Sequence, residues 1–229
     1  MTAYDAVLFD NDGVLVEPPS IDTLREAARS AFEAVGIDDA EESHVEDVMY
    51  GVTPDLLRDV CGAYGVDRET FWAARDRLAS KGQRAEFEDG VRDCYDDVVA
   101  LANFDHYFGI VSSNQHETIE FILEFFEFGD LFETYYGREA TIESVARKKP
   151  EPYYLERALA DIGADPDRAL YVGDSESDVE AARRAGMDSA FVRRAHRADL
   201  ELSVEPTYEV ADLHDVERIA NGERTTAKK

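Results

Sequence analysis

Cysteine is scarce in this chain: only Cys61 and Cys94 occur in 229 residues. Neither has a companion Cys or His at metal-ligand spacing, which argues against both a disulfide framework and a zinc site. The two read as ordinary small side chains in a reducing compartment. Lysine is nearly as sparse, at positions 81, 148, 149, 228 and 229 only, so arginine supplies most of the positive charge. No apolar run approaches the roughly 18 residues that a membrane helix requires. The amino-terminal residues lead into a strand-like segment with no basic, apolar leader before it. The expectation is a cytoplasmic, unprocessed protein.

Positive charge is in deficit overall: 51 acidic residues face 24 basic ones, a formal net charge of −27. Nucleic acid and anionic membranes are therefore disfavoured as partners, because their phosphates would be repelled wherever salt does not screen them. The acids are spread along the chain rather than collected in a tail, a usage that resembles proteins of salt-loving (halophilic) organisms. At molar salt the Debye length falls to about 3 Å, which screens such a surface from itself. A non-enzymatic acidic cation-binding protein is the rival reading. The hydrophobic content of 44% and the strong periodicity belong instead to a packed globule.

Three short apolar runs read as buried parallel strands: Tyr4 to Asp10, Tyr107 to Ser113, and Ala169 to Asp174, the first and last ending in an acid. Helical patterns follow them at Glu117 to Phe126, at Tyr153 to Ile162 closed by Gly163, and at Asp178 to Ala185 closed by Gly186. Weaker strands are expected at 133–136, 189–192 and 207–210. This alternation predicts an α/β fold, a parallel sheet with helices on both faces and ligand sites at the carboxyl ends of its strands. From Glu17 to Glu88 the pattern is helical only, which reads as an inserted all-α domain hinged at Pro18-Pro19 and Glu88-Asp89-Gly90. The expected organisation is a core of residues 1–16 and 89–221, an insert of 17–88, and a disordered tail of 222–229.

Four clusters carry chemistry. Asp10 and Asp12 alternate after the first strand, pointing to one side of the chain, with Gly13 permitting a tight turn. A calcium loop would continue with more acids, whereas Val14-Leu15-Val16 follows here. Ser112, Ser113 and Asn114 end the second strand, where hydroxyls and amides form an anion pocket or simply cap a helix. Lys149 precedes a proline-started helix. Asp174 and Asp178 stand at the third strand's tip and one turn into the next helix, where capping and helix-dipole roles are alternative readings. Convergence of all four at one sheet edge is what distinguishes a site from four coincidences.

These motifs, in this order and with a helical insert after the first, resemble the haloacid dehalogenase-like hydrolase superfamily, and the insert is similar to the helical cap of its phosphoglycolate phosphatase and β-phosphoglucomutase branch. The resemblance implies a Rossmann-like core and attack by Asp10 on phosphorus to give an aspartyl-phosphate. Asp12 would protonate the leaving alcohol and then deprotonate water. It further implies Mg²⁺ held by Asp10, the Asp12 carbonyl, Asp174 and Asp178, with Ser112 and Lys149 binding the phosphoryl group and nearby positive charge keeping Asp10 ionised.

The implied function is hydrolysis of small-molecule phosphate monoesters, phosphoglycolate-like or sugar-phosphate-like, by a monomer or homodimer. Family dehalogenases generally lack the second acid. The mutase pattern carries a Thr and a His after its first motif, where this chain reads Glu17-Pro18-Pro19-Ser20-Ile21-Asp22, which makes a β-phosphoglucomutase-like activity the alternative. Gly51-Val52-Thr53-Pro54 resembles the cap loop that reaches the substrate, with Pro54 where a mutase has Arg. Ser113, Asn114, Arg58, Lys81, Arg84 and His116 are candidate substrate contacts, and Phe71 and Trp72 candidate core of the insert.

Overall fold

The computed structural model of the protein describes residues 4–103 and 106–223. Its centre is a six-stranded, wholly parallel sheet in the order β3-β2-β1-β4-β5-β6. The strands are Ala6–Phe9 (β1), Tyr107–Gln115 (β2), Thr134–Arg138 (β3), Ala169–Gly173 (β4), Asp188–Val192 (β5) and Tyr208–Val210 (β6). Every residue of β1 is fully buried, as a central strand covered on both faces demands. Val7 and Phe9 point into one core with Phe108, Ile110 and Val172, beneath His116–Phe125 (α5) and Leu213–Ala220 (α9). Ala6 and Leu8 point the other way, to Val111 and Tyr171 beneath Tyr153–Ile162 (α7) and Glu176–Ala185 (α8).

The strand order reverses between β1 and β4, which is where doubly wound sheets open a crevice at their carboxyl edge. Phe9 pairs with Val172 there, and the Asp10 amide donates to the Val172 carbonyl at 2.8 Å. Asp10 is thereby set beside the Gly173-Asp174 tip of the neighbouring strand.

Between β1 and β2 come four helices, Ile21–Ala34 (α1), Glu42–Asp47 (α2), Pro54–Tyr64 (α3) and Arg68–Glu88 (α4). Three begin at side-chain caps: Ser20, Thr53 and Asp67 accept from the amides of Thr23, Leu56 and Thr70. They surround their own apolar cluster, including Phe32, Leu57, Phe71 and Trp72, joined by Val145 of the short helix Ile142–Arg147 (α6). Phe32 and Phe71 meet at 4.7 Å between ring centroids, their planes tilted by 52°.

The strands run slightly beyond the sequence pattern. Ser112, Ser113 and Asn114 belong to the end of β2 and α5 starts at His116, so none of the three occupies that helix's cap position, which is Gln115. Gly222 and Glu223 close α9 by donating backbone hydrogen bonds to the Ile219 and Arg218 carbonyls, and the rest of the expected tail lies outside the described residues. Among the described residues no helix is long and apolar enough to cross a membrane.

Candidate active site

Two glycines make room for the carboxylates. A Cβ on Gly173 would lie 2.2 Å from the Asp178 Cβ, so the strand tip must be bare for the first turn of α8 to close over it. Gly13, at φ +80°, turns the chain after Asp12, and a Cβ there would lie 2.2 Å from Asp174 Oδ2. With both in place, carboxylate oxygens of Asp10, Asp174 and Asp178 come within 4.8 Å of one another, all three residues buried. Asp178 Oδ2 accepts from the Asp174 amide (3.1 Å), the Ser175 amide (2.9 Å) and the Ser175 hydroxyl (2.6 Å), which leaves Oδ1 facing the cluster.

Lys149 enters from the loop ahead of α7. Its Nζ lies 2.9 Å from Asp10 Oδ1 and 2.6 Å from Asp178 Oδ1, and it donates to the Tyr171 hydroxyl at 2.8 Å. Tyr171 in turn donates to the Val111 carbonyl at 2.7 Å, fixing the ammonium from below. Burial opposes its charge, but Asp10 and Asp178 hold the Lys149 pKa well above its ordinary value.

The Asp10 carboxyl is raised to about 8 as the balance of burial, which pushes it up, Lys149, which pulls it down, and Asp178, Asp174 and Asp12, which push it up again. Asp174 lies below the ordinary carboxylate range despite burial, because His196 (2.7 Å) and Arg197 (3.0 Å) bond to its Oδ2. An all-oxygen cluster with excess negative charge is the donor set that suits a small hard divalent cation. Asp10, Asp174 and Asp178 are therefore the residues that could hold a metal ion.

Asp12 is gripped rather than free. Arg92, on the chain leaving α4, forms an ion pair with Oδ1, to which the Asn11 side-chain Nδ2 also donates at 3.0 Å. Asn114 donates to Oδ2 at 2.7 Å. Gln83 of α4 bonds both Asn114 and Arg92, so the helical segment touches the second acid through one amide. Arg92, Gln83 and Tyr171 were not singled out from the sequence. The signal for Gln83 is that α4 carries Asp76, Ser80 and Gln83 at helical spacing on a buried stripe, polar where an ordinary amphipathic helix is apolar.

Asp10, Asp12, Ser112, Ser113, Asn114, Lys149 and Asp174 line one cavity of about 720 Å³, with Asp178 behind its wall. The loop Met49–Val52 contributes to the opposite wall, including the exposed Tyr50. The other candidate contacts lie elsewhere. Arg58 is exposed and paired with Asp55 and Asp59. Lys81 lines a separate groove with Ser20 and Thr23. Arg84 lies over the Phe121 ring at 4.5 Å, and His116 stacks on Tyr135 while accepting from the Gly137 amide at 3.1 Å. Helix rotation explains the miss: Gln83 takes the inward position, and its neighbours at 81 and 84 fall outside the cavity.

Fold and site together define an α/β enzyme whose chemistry sits at the carboxyl edge of a parallel sheet, around an aspartate beside a lysine. The chain belongs to the haloacid dehalogenase-like hydrolases: that family's model matches residues 7–192. It is similar to pyrophosphatase PpaX of Bacillus velezensis, 26% identical over 92% of this chain and 94% of that one. It is also similar to the N-acetylmuramic acid 6-phosphate phosphatase of Pseudomonas aeruginosa, 28% identical over 82% of this chain and 81% of the relative. Among solved structures, CbbY from Rhodobacter sphaeroides in complex with phosphate shares the fold, with a TM-score of 0.68 at 19% identity, over 93% of this chain and 96% of that one.

Proposed function

We propose that the protein is a Mg²⁺-dependent phosphatase of small phosphate monoesters working through an aspartyl-phosphate on Asp10. The observation that carries this reading is the contact of Lys149 with Asp10, 2.9 Å, at the edge of a cavity beside a three-carboxylate cluster. Support comes from the family and from relatives named as a pyrophosphatase and an N-acetylmuramic acid 6-phosphate phosphatase.

In this mechanism Asp10 attacks phosphorus while Lys149 and Ser112 hold the equatorial oxygens. Asp12, oriented by Arg92 and Asn114, gives a proton to the leaving alkoxide and then takes one from the water that cleaves the acyl phosphate. Asp10, Asp174, Asp178 and the Asp12 carbonyl would hold Mg²⁺, whose charge would keep Asp10 ionised and offset its repulsion from the phosphoryl group. The helices of residues 17–88 act as a cap on a core of 1–16 and 89–221, excluding water from the cavity. The surface charge of −27 suits a salt-rich cytoplasm.

The decisive test is acid quenching during turnover of p-nitrophenyl phosphate with Mg²⁺ and high KCl. A phosphorylated peptide containing Asp10 is expected, absent in Asp10→Asn. A fully active Asp10→Asn enzyme would remove the assigned nucleophile. Phosphate release without a bisphosphate activator separates this reading from a mutase.

A further inference from the structure

The cavity wall carries a second charged region, outside the four-motif cluster: Arg75 of α4, Arg138 at the end of β3, and Lys148. None of the three bonds to Asp10, Asp12, Asp174 or Asp178. Arg138 forks onto Asp76 at 2.6 and 2.7 Å. Arg75 donates to the Val48 and Met49 carbonyls at 3.0 and 2.7 Å and lies 3.4 Å from the same Asp76. Both guanidiniums pack over the indole of Trp72, 5.2 and 4.8 Å from its centre, and the buried Trp72 N–H has no hydrogen-bond partner.

The Lys148 ammonium makes no hydrogen bond or ion pair among the described residues. Burial, then Arg138 and Arg75, push its pKa down to about 8, and Asp76 acts against them. Three cations thus face one carboxylate, in a chain that otherwise has twice as many acids as bases. Buried charge of one sign is costly unless a partner arrives. Arg75 and Arg138, held by Asp76 and by backbone carbonyls, form a fixed positive wall. Lys148 is the ammonium left available for direct contact, one residue from the lysine that holds the nucleophile.

We propose that Arg75, Arg138 and Lys148 seat a second anionic group, a carboxylate or a phosphate, carried by the same small phosphate ester whose phosphoryl group meets Asp10. This rests on the phosphatase reading and narrows its substrate class to esters with an anionic tail. A neutral tail would leave Lys148 half-desolvated and unpaired, whereas an anionic one completes the charge balance of the wall.

The experiment compares kcat/KM of the full chain with Mg²⁺ for ethyl phosphate, phosphoglycolate and propanediol bisphosphate, esters that differ in the tail. The wild-type protein is expected to favour at least one anionic-tailed ester over ethyl phosphate by about tenfold or more, the scale of one charged hydrogen bond. Which ester leads tells carboxylate from phosphate. Lys148→Met is expected to reduce that preference about tenfold and Lys148→Arg to restore most of it. Equal rates for all three tails in the wild type, or a Lys148→Met loss that is uniform across tails, would overturn the proposal. Failure of the protein to hydrolyse even p-nitrophenyl phosphate would instead sink the phosphatase reading. The wild-type comparison needs no variant to fold.

Discussion

Asp76 of α4 and Arg138 of β3 meet through two hydrogen bonds of 2.7 and 2.6 Å, with both side chains almost wholly buried. One partner belongs to the helical segment and the other to the sheet, so this pair fastens the two across the cavity. Removing one member of a buried pair leaves the other charge uncompensated. Asp76→Ala is expected to cost about 3–5 kcal/mol of stability, read from urea unfolding; a loss below about 1 kcal/mol would show that solvent reaches Arg138.

Asp12 is held by Arg92, Asn11 and Asn114, a geometry that suits proton transfer to a leaving oxygen. Replacing it by Asn should lower kcat on an alkyl phosphate by about 10²–10⁴-fold. The loss on p-nitrophenyl phosphate should be smaller in the first step, because nitrophenolate departs without a proton. Arg92→Met should act in the same direction and more weakly. Equal losses on both substrates in burst-phase kinetics would remove Asp12 from the acid role.

Metal removal should be fully reversible. EDTA is expected to abolish phosphate release and added Mg²⁺ to restore it. The ion should also stabilise the fold by about 2.7 kcal/mol at a hundredfold excess over its dissociation constant. Asp174→Asn and Asp178→Asn should flatten the Mg²⁺ dependence of the melting temperature. An unchanged Mg²⁺ shift in both variants would place the ion elsewhere.

Gly173 and Gly62 should respond oppositely to alanine. At Gly173 the added methyl meets Asp178 Cβ at 2.2 Å, so overpacking is expected to cost about 1–3 kcal/mol and to displace a metal-cluster carboxylate. Gly62 lies inside α3 with nothing within 4 Å of the new carbon, and Gly62→Ala should stabilise by about 0.5–1 kcal/mol. Thermal melts of the two variants, with turnover as the second readout for Gly173→Ala, check the contrast.

Much of the site was legible because its residues lie where short-range rules place them. An apolar run ending in Asp reads as a buried strand with its tip at the sheet edge, which pointed to Asp10 and Asp174 once the four motifs were taken together; Gly13 was legible as a turn residue, whereas the need for a bare Gly173 comes from its contact with Asp178. Arg92 and Gln83 escaped notice because their partners, Asp12 and Asn114, stand 80 and 31 positions away. The balance at Asp10 is likewise set by the folded chain: burial and three converging carboxylates raise its pKa against the pull of Lys149.

The amino-acid sequence by itself determined the α/β alternation, the helical insert and the order of the four motifs, since strand and helix periods and turn chemistry act over a few residues. Tertiary structure decided which cations face the cavity. On α4, Arg75 turns toward it while Lys81 and Arg84 turn elsewhere, because the rotation of that helix is set by how its whole buried stripe, Asp76, Ser80 and Gln83, seats on the ends of β2 and β3 and the start of α5. No local pattern carries that sum.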